Sequence, residues 1–134
     1  MHQNQKVYQE SVSKLKYIMH KNSGAKTAVF LIHGYGASMY DLFDLHHVLK
    51  TDKKMDWYFP HGPIDLAMSF GMLAAAWFPI DMKELERCMS LGIHRRFDEL
   101  YPREFEESLE KCKVFIENLA KDYDNVIIGG FSQG

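Results

Sequence analysis

The hydrophobic pattern of the chain predicts strands that alternate with helices. Largely apolar stretches that predict buried strands occur at residues 27–32, 55–59 and 126–128, and an alternating stretch lies at 15–20. The polar, glycine-containing turn at 21–26 predicts that the first two strands form a hairpin. Continuous apolar runs favour strands that are covered on both faces. The order β, β, α, β, α, β therefore predicts an α/β domain with a mostly parallel, doubly wound sheet.

Two segments have helical spacing. Ser38-Met39-Tyr40-Asp41 has the form of a capping box, and it begins an apolar stripe that predicts a helix to about Lys50. A clearer helix is predicted from Pro102, because apolar residues recur at intervals of four and three at Phe105, Leu109, Cys112, Ile116 and Leu119.

Three other segments have weaker patterns. Residues 1–14 are polar, and we expect a loose leader there. Residues 64–82 are rich in methionine, alanine and aromatic side chains, which predicts a buried helix or core loop; the alternative is a pliable apolar wall for an acyl chain. Residues 83–101 are weakly amphipathic.

Composition narrows the class of protein. The 134 residues, 46% of them hydrophobic, are enough for a single domain, 1–134. The net charge of −2, with basic and acidic residues interspersed, argues against a nucleic-acid or anionic-membrane partner. The N-terminus is polar and resembles no signal peptide, and no spanning segment is present, so we expect no stable membrane insertion and a cytoplasmic location.

Neither the cysteines nor the paired histidines predict a metal site. Cys88 and Cys112 are too few and too far apart in sequence for a disulfide framework or a C-x-x-C pair. His46 and His47 are adjacent on the predicted helix, so their side chains point about 100° apart and cannot share a metal through one face. We therefore predict no metal.

The candidate chemistry lies in Gly130-Phe131-Ser132-Gln133-Gly134, which has the form G-x-S-x-G. This spacing after a buried strand is typical of a nucleophile elbow, where the serine is held above the sheet in a strained turn. Glycine is needed two residues to either side because larger side chains would collide. The alternative is an ordinary glycine-rich turn at the end of a strand.

A second loop, His33-Gly34-Tyr35-Gly36, follows the strand at 27–32. Parallel strands end at one edge of a sheet, so we expect this loop to lie beside Ser132. Its small residues allow the backbone approach that a second oxyanion N–H requires. His33 is not predicted to be the catalytic base, because the triad of α/β-hydrolases runs serine, acid, histidine along the chain.

Four segments, in this order and spacing, resemble the phospholipase/carboxylesterase family of α/β-hydrolases, which includes the acyl-protein thioesterases. They are residues 30–37, 58–63, 76–80 and 129–134. The Tyr-Gly-Ala and Trp-Phe-Pro-Ile variants are similar to the bacterial-type carboxylesterase branch. The resemblance implies an α/β-hydrolase fold and hydrolysis of esters or thioesters through an acyl-enzyme, without a cofactor.

The resemblance also assigns the site residues. Ser132 would be the nucleophile, and the backbone N–H groups of Tyr35 and Gln133 would form the oxyanion hole. The acyl pocket would be lined by Trp77 and its apolar neighbours Met72 and Phe78. The glycines that permit these turns are Gly34, Gly36, Gly130 and Gly134.

Members of this family carry their catalytic acid and histidine beyond the point that corresponds to Gly134. We therefore expect an N-terminal portion of a longer enzyme, with a sheet that is incomplete at its C-terminal side and little activity of its own. The competing hypothesis is a non-catalytic fragment or pseudoenzyme that binds an acyl group or a protein partner. A cysteine hydrolase of the dienelactone type is excluded because the elbow carries serine. The substrate (short-chain ester, lysophospholipid or acyl-protein) and the oligomeric state remain open.

Overall fold

The computed structural model describes residues 5–49, 51–92 and 103–134. Strands and helices alternate through this part of the chain, which is the α/β organisation that the hydrophobic pattern predicts. The elements are β1 (Tyr8–Gln9), β2 (Lys16–His20), β3 (Thr27–Ile32), α1 (Leu45–Val48), β4 (Met55–Pro60), β5 (Ile64–Asp65), α2 (Ala67–Phe70), β6 (Ala75–Ala76), α3 (Met82–Ser90), α4 (Arg103–Ala120) and β7 (Asn125–Gly130).

The main sheet has five strands in the order β1-β2-β4-β3-β7. Strand β3 pairs in parallel with β4 on one side and β7 on the other. Strands β1 and β2 extend the sheet in the antiparallel direction beyond β4. The parallel part of the sheet is therefore β4-β3-β7, and over the described residues the whole sheet is mixed.

The predicted hairpin between β2 and β3 is wrong, because β4 lies between them. The turn at 21–26 attaches to β4 instead of closing a two-strand ribbon. The backbone N–H of Asn22 donates to Asp56 Oδ1 at 2.7 Å, and its side-chain amide donates to the carbonyl of Met55 at 2.6 Å. Strand β3 lies inside the sheet, between β4 and β7, and both of its faces are covered. This position explains why its apolar run is continuous and not alternating.

Successive residues of β3 and β4 point to opposite faces of the sheet. Val29, Trp57 and Phe59 lie on one face, where Met39 and Phe43 cover them. On the other face the buried cluster is closed by helix α4 and consists of Leu15, Tyr17, Ala28, Phe30, Tyr58, Trp77, Phe78 and Phe115. The core therefore has a layer on each side of the sheet, as a doubly wound arrangement requires.

Helix α4 confirms the strongest helical prediction, although its predicted start at Pro102 lies outside the described residues. The buried centre of its face differs from the predicted stripe. Leu109 is 59% exposed, whereas Phe115 is fully buried. The polar Ser108, about two turns before Phe115 on the same face, is also buried. Ser108 is tolerated there because its hydroxyl donates a hydrogen bond to the carbonyl of Trp77.

The helix predicted from Ser38 to about Lys50 is mostly wrong; Lys50 itself lies outside the described residues. The capping contacts form, with the Ser38 N–H donating to Asp41 Oδ2 at 2.6 Å. The chain then continues through successive i to i+3 turns and makes only the single helical turn α1. This irregular segment still buries Met39 and Phe43 against the sheet, so burial does not require the regular helix.

The described part of the predicted leader, residues 5–14, is not loose; residues 1–4 lie outside the description. Strand β1 pairs with β2, with Tyr8 opposite Tyr17. The Glu10 carboxylate accepts hydrogen bonds from the N–H groups of Val12 at 3.0 Å and Ser13 at 2.7 Å. Burial raises the pKa of Glu10, but these hydrogen bonds outweigh it and lower the pKa to about 2.

Residues 64–82 divide into two parts. Strands β5 and β6 pair as a small antiparallel sheet around α2, and residues 74–78 are buried as the core-loop prediction requires. The residues of the connecting turn are exposed, among them Met68, Phe70 and Leu73. Of the weakly amphipathic segment 83–101, the first part forms α3, capped by Asp81, while residues 93–101 lie outside the described ranges. No helix in the described ranges has the length and apolar character needed to span a membrane.

Candidate active site

The G-x-S-x-G segment forms a tight turn at the end of β7. Ser132 has φ +57°, in the left-handed region that side chains other than glycine rarely adopt. A Cβ on Gly130 would collide with the backbone of Gly134, and one on Gly134 would lie 2.6 Å from the carbonyl oxygen of His33. Both glycines are therefore sterically required, and the serine is exposed on the turn between them.

The loop after β3 lies directly against this turn, because β3 and β7 are parallel neighbours that end at the same edge. A Cβ on Gly34 would lie 3.1 Å from the carbonyl oxygen of Phe131 and 3.2 Å from Ser132 Cβ. Gly36 has φ +78° and allows the loop to turn back. The two loops that the sequence analysis paired are thus adjacent.

His33 has a structural role in the loop. Its side chain is 2% exposed, and its Nδ1 lies 2.7 Å from the carbonyl oxygen of Gly34. Its Nε2 accepts a hydrogen bond from the N–H of Gly62 at 2.9 Å, which places the proton on Nδ1. Burial lowers the pKa of His33, so the neutral form is favoured. With both ring nitrogens bonded to backbone groups, His33 has no nitrogen left to act on Ser132.

The N–H groups of Tyr35 and Gln133 have no hydrogen-bond acceptor within the part of the chain that the structure describes. These two donors belong to the loop and to the residue after the serine, the two places from which α/β-hydrolases draw an oxyanion hole. Unbonded N–H groups in neighbouring loops can receive a developing negative charge without first breaking another hydrogen bond.

The strand and turn around Trp77 are bonded to both loops. The indole Nε1 of Trp77 donates to the carbonyl of His33 at 2.8 Å. The side-chain amide of Gln133 accepts from the N–H of Trp77 at 2.9 Å and donates to the carbonyl of Phe78 at 2.7 Å. Trp77 is therefore a buried framework residue as well as a wall of the adjacent cavity.

That cavity has a volume of about 210 Å³ and lies beside the elbow. Its lining is largely apolar and includes Ile32, Trp77, Phe78, Phe105, Leu109 and Cys112. Of the residues predicted to line an acyl pocket, Trp77 and Phe78 line this cavity. Met72 does not line this cavity; it is 70% exposed on the turn before β6.

Phe70 is the residue from that turn that approaches the site. Its ring lies against Gly36, where a Cβ would come within 3.2 Å of the ring atom Cζ, and it makes an edge contact with the Tyr35 ring at a centroid distance of 6.1 Å. No periodicity in the sequence marked it, because the turn that brings it there is set by the pairing of β5 with β6.

Ser132 Oγ has no side-chain hydrogen-bond partner among residues 5–49, 51–92 and 103–134. The second histidine near the loop, His61, accepts from the N–H of Met39 at 3.2 Å through Nδ1. Burial, followed by the nearby His33 and Lys16, lowers the pKa of His61 to about 4. The described side chains include no group of three or more ligating residues that could hold a metal ion.

Comparison with known proteins identifies the family. A model of the phospholipase/carboxylesterase family matches residues 14–134. The chain belongs to this family. The resemblance carried by the four segments is thus confirmed, and the fold is that of an α/β-hydrolase. No curated protein matches the sequence.

Among solved structures, the chain is similar to acyl-protein thioesterase 2 of Zea mays, with a TM-score of 0.54 and 19% sequence identity. The match covers 94% of this chain and 47% of the thioesterase chain. At this identity the likeness bears on the fold alone. The chain spans about half the length of the structure it matches.

Two structural features of this family member were missed at the level of sequence. Ser108 anchors Trp77, and Gly62 allows a close approach in which a Cβ would lie 2.6 Å from the carbonyl oxygen of Ala76. Gly62 lies in one of the four segments that carried the resemblance, so a signal was present. For Ser108 the signal was a polar residue seven positions before Phe115 on the same helix face.

Proposed function

We propose that Ser132 is the nucleophile of a serine hydrolase that cleaves carboxylic esters or thioesters. The observation that carries this proposal is the left-handed backbone of Ser132, held between two glycines at the carboxyl edge of the sheet. A non-glycine residue in this conformation costs about 1–2 kcal/mol, and such strain is concentrated at functional sites.

In the proposed reaction, Ser132 Oγ attacks the carbonyl carbon of the substrate and passes its proton to a general base. The carbonyl oxygen becomes an oxyanion that accepts hydrogen bonds from the N–H groups of Tyr35 and Gln133. Collapse of this intermediate breaks the C–O or C–S bond, releases the alcohol or thiol with a proton from the protonated base, and leaves the acyl group on Ser132. Water then hydrolyses the acyl-enzyme by the same route.

We propose that the general base and its acidic partner come from chain that lies outside these 134 residues. Three observations support this: Ser132 Oγ has no imidazole partner in the described ranges, the chain spans about half of the thioesterase that it matches, and the described residues place a strand on only one side of β7. The outer positions of β7, Val126, Ile127 and Ile128, are half-exposed β-branched side chains typically covered by further structure.

The acyl group of the substrate would occupy the apolar cavity beside Trp77 and Phe78. The lining of this cavity is largely apolar, which suits an acyl chain. The leaving group is an alcohol or a thiol. The similarity to an acyl-protein thioesterase makes an acyl-thioester a substrate class to test beside short-chain esters and lysophospholipids.

The test uses the natural polypeptide that carries this sequence, at its full encoded length. A fluorophosphonate probe should label the protein on Ser132, and Ser132→Ala should abolish the label. Turnover of p-nitrophenyl esters should likewise be lost in Ser132→Ala. Labelling that survives Ser132→Ala, or a protein that folds and remains unlabelled, would refute the proposed nucleophile.

The second candidate is a non-catalytic protein that binds an acyl group or a partner. It is favoured by the lack of an acid–base partner for Ser132 among the described residues. In that case the folded full-length protein would not react with the fluorophosphonate, yet it would bind a fluorescent fatty acid. The Phe78→Trp variant, whose larger side chain fills the cavity, would lose that binding. The two candidates therefore give opposite results in the labelling experiment.

A further inference from the structure

Residues 75–78 lie between the two loops of the candidate site and are bonded to both. At one end, the Ala75 N–H donates to the carbonyl of Ala37, and the Gly36 N–H donates to the carbonyl of Ala75, each at 2.9 Å. This pair of hydrogen bonds holds the loop that presents the Tyr35 N–H. The extended segment therefore sets where that loop lies relative to the rest of the site.

At the other end, the side chain of Gln133 forms hydrogen bonds with the backbone of residues 77 and 78. Its Oε1 accepts from the Trp77 N–H at 2.9 Å and its Nε2 donates to the Phe78 carbonyl at 2.7 Å. A primary amide offers one acceptor and one donor side by side, as a peptide group of a neighbouring strand does. We call this pair of hydrogen bonds the Gln133 clamp.

We propose that the Gln133 clamp positions the oxyanion hole, so that the side chain of Gln133 sets the distance between its own backbone N–H and that of Tyr35. The inference rests on the proposed function. Gln133 carries one donor on its backbone, while its side chain grips the segment that holds the loop with the other donor. The two N–H groups are thus joined through residues 75–78 in addition to their attachment to β3 and β7.

Accurate positioning matters because an oxyanion donor acts only at about 2.7–3.1 Å from the developing charge. The segment that the clamp contacts is also held by the core. Trp77 is buried, its indole donates to the carbonyl of His33, and its carbonyl accepts from Ser108. The clamp therefore connects the elbow to a buried, hydrogen-bonded part of the core.

The chemistry of the clamp predicts how substitutions behave. Gln133→Met has a similar length and removes both hydrogen bonds. Gln133→Glu keeps an acceptor for the Trp77 N–H. When this carboxyl is ionised it has no donor, so a carboxylate oxygen faces the Phe78 carbonyl oxygen without a hydrogen bond between them. Protonation of that carboxyl restores the donor. Gln9→Met is the matched control, because Gln9 is an exposed glutamine whose Nε2 donates to the carbonyl of Lys14 at 2.9 Å, far along the sheet on β1.

The experiment measures kcat, KM and the inhibition constant of a trifluoromethyl ketone for the full-length protein and these variants. For Gln133→Met we expect kcat to fall roughly 10- to 100-fold and the ketone to bind more weakly by a similar factor, with KM nearly unchanged, because a displaced donor acts mainly on the tetrahedral species. Gln133→Glu should regain activity relative to wild type as the pH falls through the range where its carboxyl is protonated. Gln9→Met should match wild type.

Hydrogen exchange at the Trp77 amide is a second measurement that does not depend on activity, and Gln133→Met should accelerate it. If exchange accelerates while kcat and ketone affinity stay within about threefold of wild type, the clamp exists but does not position the oxyanion hole, and the inference is wrong. A rise in KM alone would also overturn it. If wild type neither labels nor turns over while exchange still responds to Gln133→Met, the proposed function itself has failed.

Discussion

The strained conformation of Ser132 makes a prediction about stability that is independent of any substrate. Ser132→Ala and Ser132→Gly both remove the hydroxyl, but only glycine removes the Cβ that makes φ +57° unfavourable. The left-handed region costs a non-glycine residue about 1–2 kcal/mol. Glycine gives back about 0.4–1 kcal/mol through the greater freedom of the unfolded chain. We therefore expect Ser132→Gly to be more stable than Ser132→Ala by about 0.5–1 kcal/mol.

The control is the same pair of substitutions at Lys113, which is exposed in the middle of α4. There the helical backbone suits alanine, so Lys113→Gly should be less stable than Lys113→Ala by about 1 kcal/mol. Urea unfolding followed by tryptophan fluorescence measures both pairs, since Trp57 and Trp77 are buried. The sign should reverse between the two sites. If glycine is less stable than alanine at both, Ser132 is not strained, and the structural basis of the proposed nucleophile fails.

Three further predictions concern the core and its titrating groups. Phe115→Ala should lower the free energy of unfolding by about 3–5 kcal/mol, because the ring is fully buried and in edge contact with two other rings. Leu109 is 59% exposed, so Leu109→Ala should lower it far less in the same urea titration. Burial raises the pKa of the Cys112 thiol to about 12, so peptide mapping should find little alkylation by iodoacetamide at pH 8 until urea unfolds the protein; rapid alkylation of the folded form would contradict that environment. The pKa of His61 in the folded protein is lowered to about 4, so its contribution to stability is present above the unfolded pKa of 6.5 and is lost as the pH falls from 6.5 to 4. The variant His61→Asn should lose less stability over this pH range than the wild type. An equal loss in both proteins would exclude His61 as a cause.

Local pattern was sufficient wherever an element is determined by its own residues. The strands β3, β4 and β7 were predicted because each is a short, largely apolar run bounded by turn residues, and α4 because its apolar spacing continues over about four turns. The left-handed turn at Ser132 was predictable for the same reason, since the two flanking glycines are a steric requirement visible in the sequence.

Strand neighbours were not predictable in this way. The pattern of β2 and β3 is equally compatible with a hairpin and with two strands separated by a third. The deciding contacts are the hydrogen bonds of Asn22 to Met55 and Asp56, more than thirty positions away in sequence. The same limit applies to the segment after Ser38, where burial of Met39 and Phe43 against the sheet replaced the regular helix that the capping residues favour.

The sequence by itself determined the nucleophile candidate, the loop that faces it and the family, because these depend on short segments whose residue types are set by backbone geometry. Only the tertiary structure decided how those segments are held together. It excluded Met72 from the cavity, brought Phe70 to the loop, and joined Gln133 to Trp77 and Phe78 across more than fifty positions. Such contacts depend on chain reversals far from the residues concerned, and no local periodicity records them.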